Sequence, residues 1–362
     1  PDHFFPPNIK SIPSEIRSNI TILYMKTNDK KVVNFCKNLG FKDVLELNPN
    51  EDYNLTDKFT ITNGTLGHDS WLCVKTDLYS FLNTNDCVIN TIDKAKTIHD
   101  ITSNIDVLLT QFSYAAKHGN INQPEKRIQA SQDKYDQIKI HFDVFKPKYF
   151  VPIASYVWFS HEENFYMNDN MNLINDVAEF SLLNKVEPIV LHPSAEYQIG
   201  SKHNNVLNVN KYLSDYQCIT IENTRKTNSC DFFDIEKSAN KLISQIYRED
   251  KLSAILLSFY PIKFYITDLK LSVKFSTISG FKKIKEIKEN TNIHLTSEVL
   301  NFCFKFNFGF GATDVNARFQ TNKDEDMILW NYYVSVTDSL NHKDSTLKRV
   351  FGKIKRKLTT VK

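Results

Sequence analysis

Metal-assisted hydrolysis needs histidine and carboxylate side chains carried to one point by loops at strand ends. Two neighbouring cations held there clamp an oxygen and lower the pKa of a bound water. This chain of 362 residues supplies such side chains in separated pieces. Asp2-His3 stands at its start, and Gly67-His68-Asp69-Ser70 precedes an apolar run. Leu82-Asn83-Thr84-Asn85-Asp86-Cys87 closes a second apolar run on a carboxylate. His118 follows in Tyr114-Ala115-Ala116-Lys117-His118-Gly119, then His161-Glu162-Glu163, and finally His192 before Pro193. Each also has a plainer reading. Asp2 and His3 can be a terminal acid and a loop histidine, His68 a capping residue beside Asp69, and Asp86 a turn residue. His118 can be ordinary loop chemistry, His161 a solvated residue among glutamates, and His192 structural. Glu162 and Glu163 read as surface charges, or as groups that orient His161.

The elements that must position these residues can be read from periodicity. Ser14–Ser18 reads as a short helix with a serine cap, Thr21–Met25 as a buried strand, and Lys30–Leu39 as a helix stopped by Gly40. Strands are expected at 41–47, 58–62, 72–75, 79–83, 105–110, 148–154 and 187–191, with helices at 123–145 and 170–183. That alternation indicates a layered α/β unit. Beyond about residue 205 an amphipathic helix at 235–249 precedes three aromatic-rich alternating segments, 259–267, 269–275 and 303–310. Those predict a half-buried antiparallel sheet. We therefore expect two domains, 1–205 and 206–362, with a soft boundary near 205–230. The run Lys348–Lys357 is basic and amphipathic; a solvated terminal helix and a contact with an acidic surface are the two readings.

Composition narrows the classes further. Hydrophobic residues make up 41% and charged residues 24%, as in an ordinary globular protein rather than a disordered one. A net charge of +3 asks for no nucleic acid partner. No apolar run reaches transmembrane length, so no membrane partner is expected. The six cysteines are scattered, with no C-x-x-C pair, which points to reduced thiols and a cytoplasmic location. The chain opens at Pro1 in what reads as the middle of a motif, so residues upstream are expected.

At these positions the sequence resembles the metallo-β-lactamase superfamily. Asp2-His3 matches the second half of its H-x-H-x-D-H metal motif, and Asp86 matches an aspartate that bridges two metals at a strand end. The resemblance is nearest to the metallo-β-lactamase-like region of CMP-N-acetylneuraminate and UDP-N-acetylmuramate hydroxylases, over roughly residues 1 to 200. It is carried by Phe81–Cys87, the loop Tyr114–Gly119, Phe150–Tyr156, Phe159-Ser160-His161-Glu162 and His192-Pro193-Ser194-Ala195. It implies an αββα sandwich whose N-terminal strands are missing from this chain, followed by an α+β C-terminal region. Two departures stand out. The first two histidines of the motif would precede Pro1, and Ala154-Ser155 occupies a place where most hydrolases of the superfamily carry another histidine.

The resemblance implies a metal-dependent, hydrolase-type enzyme for a polar substrate, a carbohydrate or nucleotide sugar. Asp2, His3, His68, Asp86 and His161 would hold one or two zinc ions, or iron if the chemistry is oxidative. Asp2, His118 and His161 are the candidate catalytic residues, with His118 or His161 moving a proton. A second reading is the substrate-binding part of an N-acyl-sugar hydroxylase, served by an electron-transfer partner. Its Rieske iron–sulfur cluster would lie outside this chain, since no cysteine here stands in C-x-H or C-x-x-H. A third is a non-catalytic binding or assembly module that kept the fold and lost a ligand.

Overall fold

The computed structural model describes residues 4–67 and 69–342. Their contacts divide into two compact units. Residues up to 113, with 132–156 and 172–215, form the first; 114–131, 157–171 and the described residues from 216 onward form the second.

In the first unit, two short helices, α1 (Pro6–Ser11) and α2 (Ser14–Arg17), lead into β1 (Thr21–Met25). Helix α3 (Lys31–Asn38) then crosses to β2 (Asp43–Leu47), which pairs with β1 in parallel. A parallel pair requires such a crossover. Val33 and Cys36 of α3 close the small core with Phe41 and Val44.

The main sheet follows, seven strands in chain order: β3 (Asp52–Thr56), β4 (Phe59–Leu66), β5 (Asp69–Thr76), β6 (Ser80–Asn83), β7 (Val107–Gln111), β8 (Tyr149–Ile153) and β9 (Glu187–Pro188). β3 to β6 are an antiparallel meander, and β6 to β9 run parallel. The switch to parallel pairing coincides with the helical crossovers α4 (Ile92–Thr102), α5 (Pro124–Phe145, of which 132–145 belong to this unit) and α6 (Ile174–Leu183). Buried Leu82, Leu108 and Phe150 fill the centre of the parallel part. α4 starts where the Thr91 hydroxyl accepts the Lys94 amide at 3.3 Å. α7 (Asn205–Gln217) completes this unit except for its last two residues.

The second unit is built on α8 (Phe232–Glu249), α9 (Lys251–Phe259) and a five-stranded sheet. The strands are β10 (Ile262–Ile266), β11 (Leu271–Ser276), β12 (Gly280–Lys283), β13 (Ile293–Leu295) and β14 (Gln320–Thr321), ordered β12-β11-β10-β13-β14. α10 (Ser297–Lys305), α11 (Gly309–Asn316) and α12 (Asp326–His342) follow β13 and flank β14 in sequence. α8 buries Ile235, Ala239, Leu242 and Ile246, a single face at helical spacing. The core is aromatic, with Phe319 stacked on Trp330 at 4.2 Å and Phe275 on Phe304 at 4.7 Å.

The chain is thus α/β, and strands and helices alternate on either side of the antiparallel meander β3–β6, which interrupts the alternation expected for the first two hundred residues. Several expectations need correction: Ser14 lies inside α2, whose N-cap is Pro13 with no side-chain cap, and no residue of β1 is fully buried. The segment 303–310 is not a strand but the end of α10 and the start of α11. Its alternating phenylalanines mislead, because Val299, Leu300, Cys303 and Phe304 bury one helical face. Asp268 also accepts the Ser297 amide at 2.8 Å, which starts a helix there. The strand expected at 187–191 is only two residues long. Among the described residues no helix is long and apolar enough to cross a membrane. The basic run 348–357 lies outside the described residues.

Candidate functional site

Open α/β sheets offer their ligand crevice outside the carboxyl ends of the parallel strands. In the first unit those ends belong to β6, β7, β8 and β9. The exit from β6 is a tight polar turn. Asn83 Oδ1 accepts the Asn85 amide at 2.8 Å, Asn85 takes a left-handed φ of 48°, and the Thr84 hydroxyl meets Thr110 at 2.7 Å. That turn delivers Asp86. Its carboxylate accepts from the Gln111 amide nitrogen at the end of β7. Gln111 Oε1 in turn accepts from the Lys134 ammonium of α5 at 2.9 Å. Burial lowers the pKa of Lys134, and the charge of Asp86 partly restores it. Burial lifts the Cys87 thiol to about 11, and the negative charges of Asp69 and Asp86 add to that rise. A thiol so placed is a poor nucleophile at neutral pH.

The exits from β7 and β8 are held together by hydroxyl and amide groups turned onto the backbone. The Ser155 hydroxyl accepts the Phe112 amide at 3.0 Å and donates to the Ser113 carbonyl at 3.2 Å. Ser113 Oγ accepts the Asn172 amide at 3.0 Å, and Asn172 Nδ2 donates to the Phe112 carbonyl at 2.8 Å. Ala154 turns the chain there with φ of 54°. Beyond β9, His192 Nε2 lies 2.9 Å from Asp215, its ring edge on Tyr212, which stacks on Tyr156 at 4.5 Å. Beneath the edge, fully buried His141 sets Nε2 3.1 Å from the Ile89 carbonyl. Burial drives its pKa down to about 4, so it is neutral at physiological pH.

His118 and His161 belong to the second unit. His118 packs edge-on against Tyr114 at 5.1 Å. Its neighbour Lys117 is enclosed by acceptors: the carbonyls of Gly119 and Phe319 at 3.0 and 2.9 Å, and Asn120 Oδ1 at 3.3 Å. Burial lowers the pKa of Lys117 to about 7. His161 sits where the backbone meets Arg225 in an isolated parallel bridge. Burial, then the positive charge of Arg318, lowers its pKa. Arg318 itself spans two carboxylates, Glu163 at 2.7 Å and Glu298 at 3.0 Å. Glu163 is therefore an ion-pair partner.

Of the candidate ligands, Asp86 lies in the first unit and His161 in the second. Asp2, His3 and His68 lie outside the described residues. Among the described residues, no three His, Cys, Asp or Glu side chains gather in a group that could hold a metal ion. Among the described residues this edge offers the carboxylates of Asp69 and Asp86, a thiol, an amide, hydroxyls committed to backbone and an ammonium, a set that brings no three metal-ligating groups together. Gln111, Lys134 and Asp215 escape a reading of the sequence for ligand types. Lys134 leaves a trace, because it falls on the inward face of α5 with Ile138, His141 and Phe145.

No protein-family model matches the chain, and no curated protein matches it. Among solved structures it is similar to CmlA, a diiron β-hydroxylase from Streptomyces venezuelae, at 14% identity with a TM-score of 0.29, over 37% of this chain and 30% of that one. A variant of CmlA β-hydroxylase gives 13% identity and a TM-score of 0.28, over 36% and 31% of the two chains. The similar region thus spans under a third of the length of those structures, at scores too low to assign a fold.

Proposed function

We propose that the chain is a binding or assembly module on a metallo-β-lactamase-like α/β scaffold, and that the ligand edge of its first sheet is closed by its own side chains. One observation carries this reading, the relay Asp86–Gln111–Lys134. A metal ligand must offer a free lone pair. Asp86 keeps lone pairs after accepting one amide N–H, so what disfavours a cation here is the half-buried ammonium of Lys134, held to the same relay by Gln111. A cation entering beside Lys134 would meet repulsion at low dielectric. The serines and asparagine of the neighbouring exits tie backbone to backbone, so they position strands rather than substrate. Binding then falls to surfaces elsewhere on the chain.

One observation favours an enzyme instead. Asp69 and Asp86 both raise the pKa of the Cys87 thiol, so two carboxylates share this edge, and His68 adjoins Asp69 in sequence. In that second reading Asp2, His3, His68 and Asp86 would hold zinc or iron, which would provide an activated water for hydrolysis or the site of an N-acyl-sugar hydroxylation. The polar or sugar-nucleotide substrate, the Rieske partner and the proton-moving roles of His118 and His161 rest on family resemblance.

Elemental analysis of the purified full chain separates the two. The module reading expects trace metal only, the same in native protein and in Asp86→Asn and His68→Ala variants. One or two equivalents of zinc or iron, lost in both variants, would overturn it.

A further inference from the structure

The sheet of the second unit has parallel carboxyl ends of its own. β10 and β13 run parallel, and Thr267 and Thr296 are the first residues beyond them. The Thr267 amide donates to the Leu295 carbonyl at 2.9 Å and holds the two exits together. Ligand crevices form at such ends. Here they border a space of about 380 Å³, inside the range of roughly 300–1,000 Å³ usual for small-molecule sites. Thr267, Thr296, His294, Lys288, Arg318 and Glu163 line it, all of them in the second unit. One group in this lining is unpartnered. Thr296 is only 9% exposed, and its Oγ1 is buried without a hydrogen bond. It stands at the N-cap of α10 but its hydroxyl caps nothing, because Asp268 takes the Ser297 amide. Buried hydroxyls are hydrogen-bonded as a rule, so one that borders a cavity calls for a partner inside it.

The same lining carries charges of both signs. The contacts of Glu163 all fall on Oε1, which accepts from Arg318 Nε at 2.8 Å, Arg318 Nη2 at 2.7 Å and the Thr227 hydroxyl at 2.8 Å. Oε2 is left as an acceptor. His294 Nε2 lies 3.2 Å from the Lys288 carbonyl, and a neutral ring that donates there keeps Nδ1 as a second acceptor. Burial, then the charge of Lys288, lowers the pKa of His294 and favours that neutral form. On the positive side, Arg318 spends Nε and Nη2 on Glu163 and Glu298 and keeps Nη1. Lys288 is exposed, and among the described residues its ammonium joins no ion pair. A lone anion in this space meets Glu163, and a lone cation meets Arg318 and Lys288. A molecule with an ammonium and a carboxylate a few bonds apart satisfies both. Its ammonium donates to Glu163 Oε2 and His294 Nδ1, and its carboxylate accepts from Thr296, Arg318 Nη1 and Lys288.

We infer that the carboxyl ends of β10 and β13 form a binding site for a small zwitterion of the amino-acid class. The site lies in the second unit alone and does not depend on whether the edge of the first sheet holds metal.

The test is calorimetric titration of the full chain with the common L-amino acids one by one, and with acetate and ethylamine as single-charge controls. At least one amino acid should bind with a dissociation constant below about 1 mM. Acetate and ethylamine should bind at least about tenfold more weakly, as should the amino acid to Lys288→Met and Glu163→Gln variants. Thr296→Val should weaken binding to the same degree, yet leave the melting temperature of the ligand-free protein unchanged or higher. It removes an unpartnered hydroxyl and no cap. Binding by none of the amino acids overturns the proposal. So does acetate or ethylamine binding as tightly as the amino acid, because the site would then serve a single ion. Full binding by all three variants overturns it too, and so does a lower melting temperature of Thr296→Val with binding intact, which makes the hydroxyl structural.

Discussion

His141 turns the buried side of the first unit into a pH-dependent element. Its ring is fully buried, Nε2 faces the Ile89 carbonyl at 3.1 Å, and Nδ1 is buried without a hydrogen-bond partner. Protonation would place a charge where only one nitrogen has an acceptor, near the cation of Lys134. Burial is the larger cause of the fall from 6.5 to about 4. Because the folded pKa lies below the unfolded one, the unfolded chain binds the proton more tightly. The stability from neutral His141 is therefore complete above pH 6.5 and is lost as pH falls through about 4. At about 1.4 kcal/mol per pH unit the full loss is roughly 3 kcal/mol, of which about 2 kcal/mol is gone by about pH 5. His141→Gln keeps a donor within reach of Ile89 and cannot titrate. Native-state hydrogen exchange of the β7 and β8 amides, followed from about pH 7 to about pH 5, reads the opening free energy of this unit. Native protein should lose about 2 kcal/mol more than the variant over that range, other titrating groups being common to both. Parallel profiles would show that His141 is protonated in the folded state or reaches water, and the argument from burial would fail.

Three further outcomes follow from contacts in the two units. Lys134→Met should cost about 1–2 kcal/mol by leaving Gln111 Oε1 without its donor, and Asp86→Asn should cost less on that background than alone, with a coupling of about 1 kcal/mol in a urea double-mutant cycle. Gly64→Ala should destabilise by about 2 kcal/mol, since a Cβ there overlaps the Trp71 ring and the Asn50 side-chain oxygen; Trp71→Phe in the same chain should recover part of the loss in melting temperature. Arg318→Met strands Glu163 and Glu298, which are partly solvated. A calorimetric loss of about 2 kcal/mol is expected, most of it relieved when Glu163→Gln is added.

Most of the fold is legible along the chain because hydrophobic period and punctuation agree locally. The run 105–110 reads as a strand, and β7 spans Val107–Gln111; the long periodic stretch 123–145 is α5 within one residue. Agreement fails where two periods overlap. Phe302, Phe304, Phe306, Phe308 and Phe310 alternate like a strand, yet Val299, Leu300, Cys303 and Phe304 share a helical face. The helix wins because that face is buried, and Asp268, far off in sequence, helps to start it by accepting the amide of Ser297. A local pattern cannot report a cap delivered from 29 residues away.

The candidate site was harder to read for a related reason. Asp86 is visible as an acid closing a strand, and a carboxylate at a strand end is what a metal centre requires. What decides its chemistry is the pair of residues that reach it, Gln111 from the next strand and Lys134 from the following helix. Neither is a ligand type, so a search for histidines and acids passes over both. Their trace is a mismatch: in α5 the positions 134, 138, 141 and 145 share one face, and two of those four carry titratable side chains among Ile138 and Phe145. A lysine and a histidine on an inward helical stripe each need a partner under that helix, since burial without one costs several kcal/mol. The partners are Gln111 for Lys134 and the Ile89 carbonyl for His141. Polar exceptions on an apolar face therefore locate the polar edge of the sheet, and the groups they meet determine whether that edge is open to a ligand. Here the lysine reaches it first.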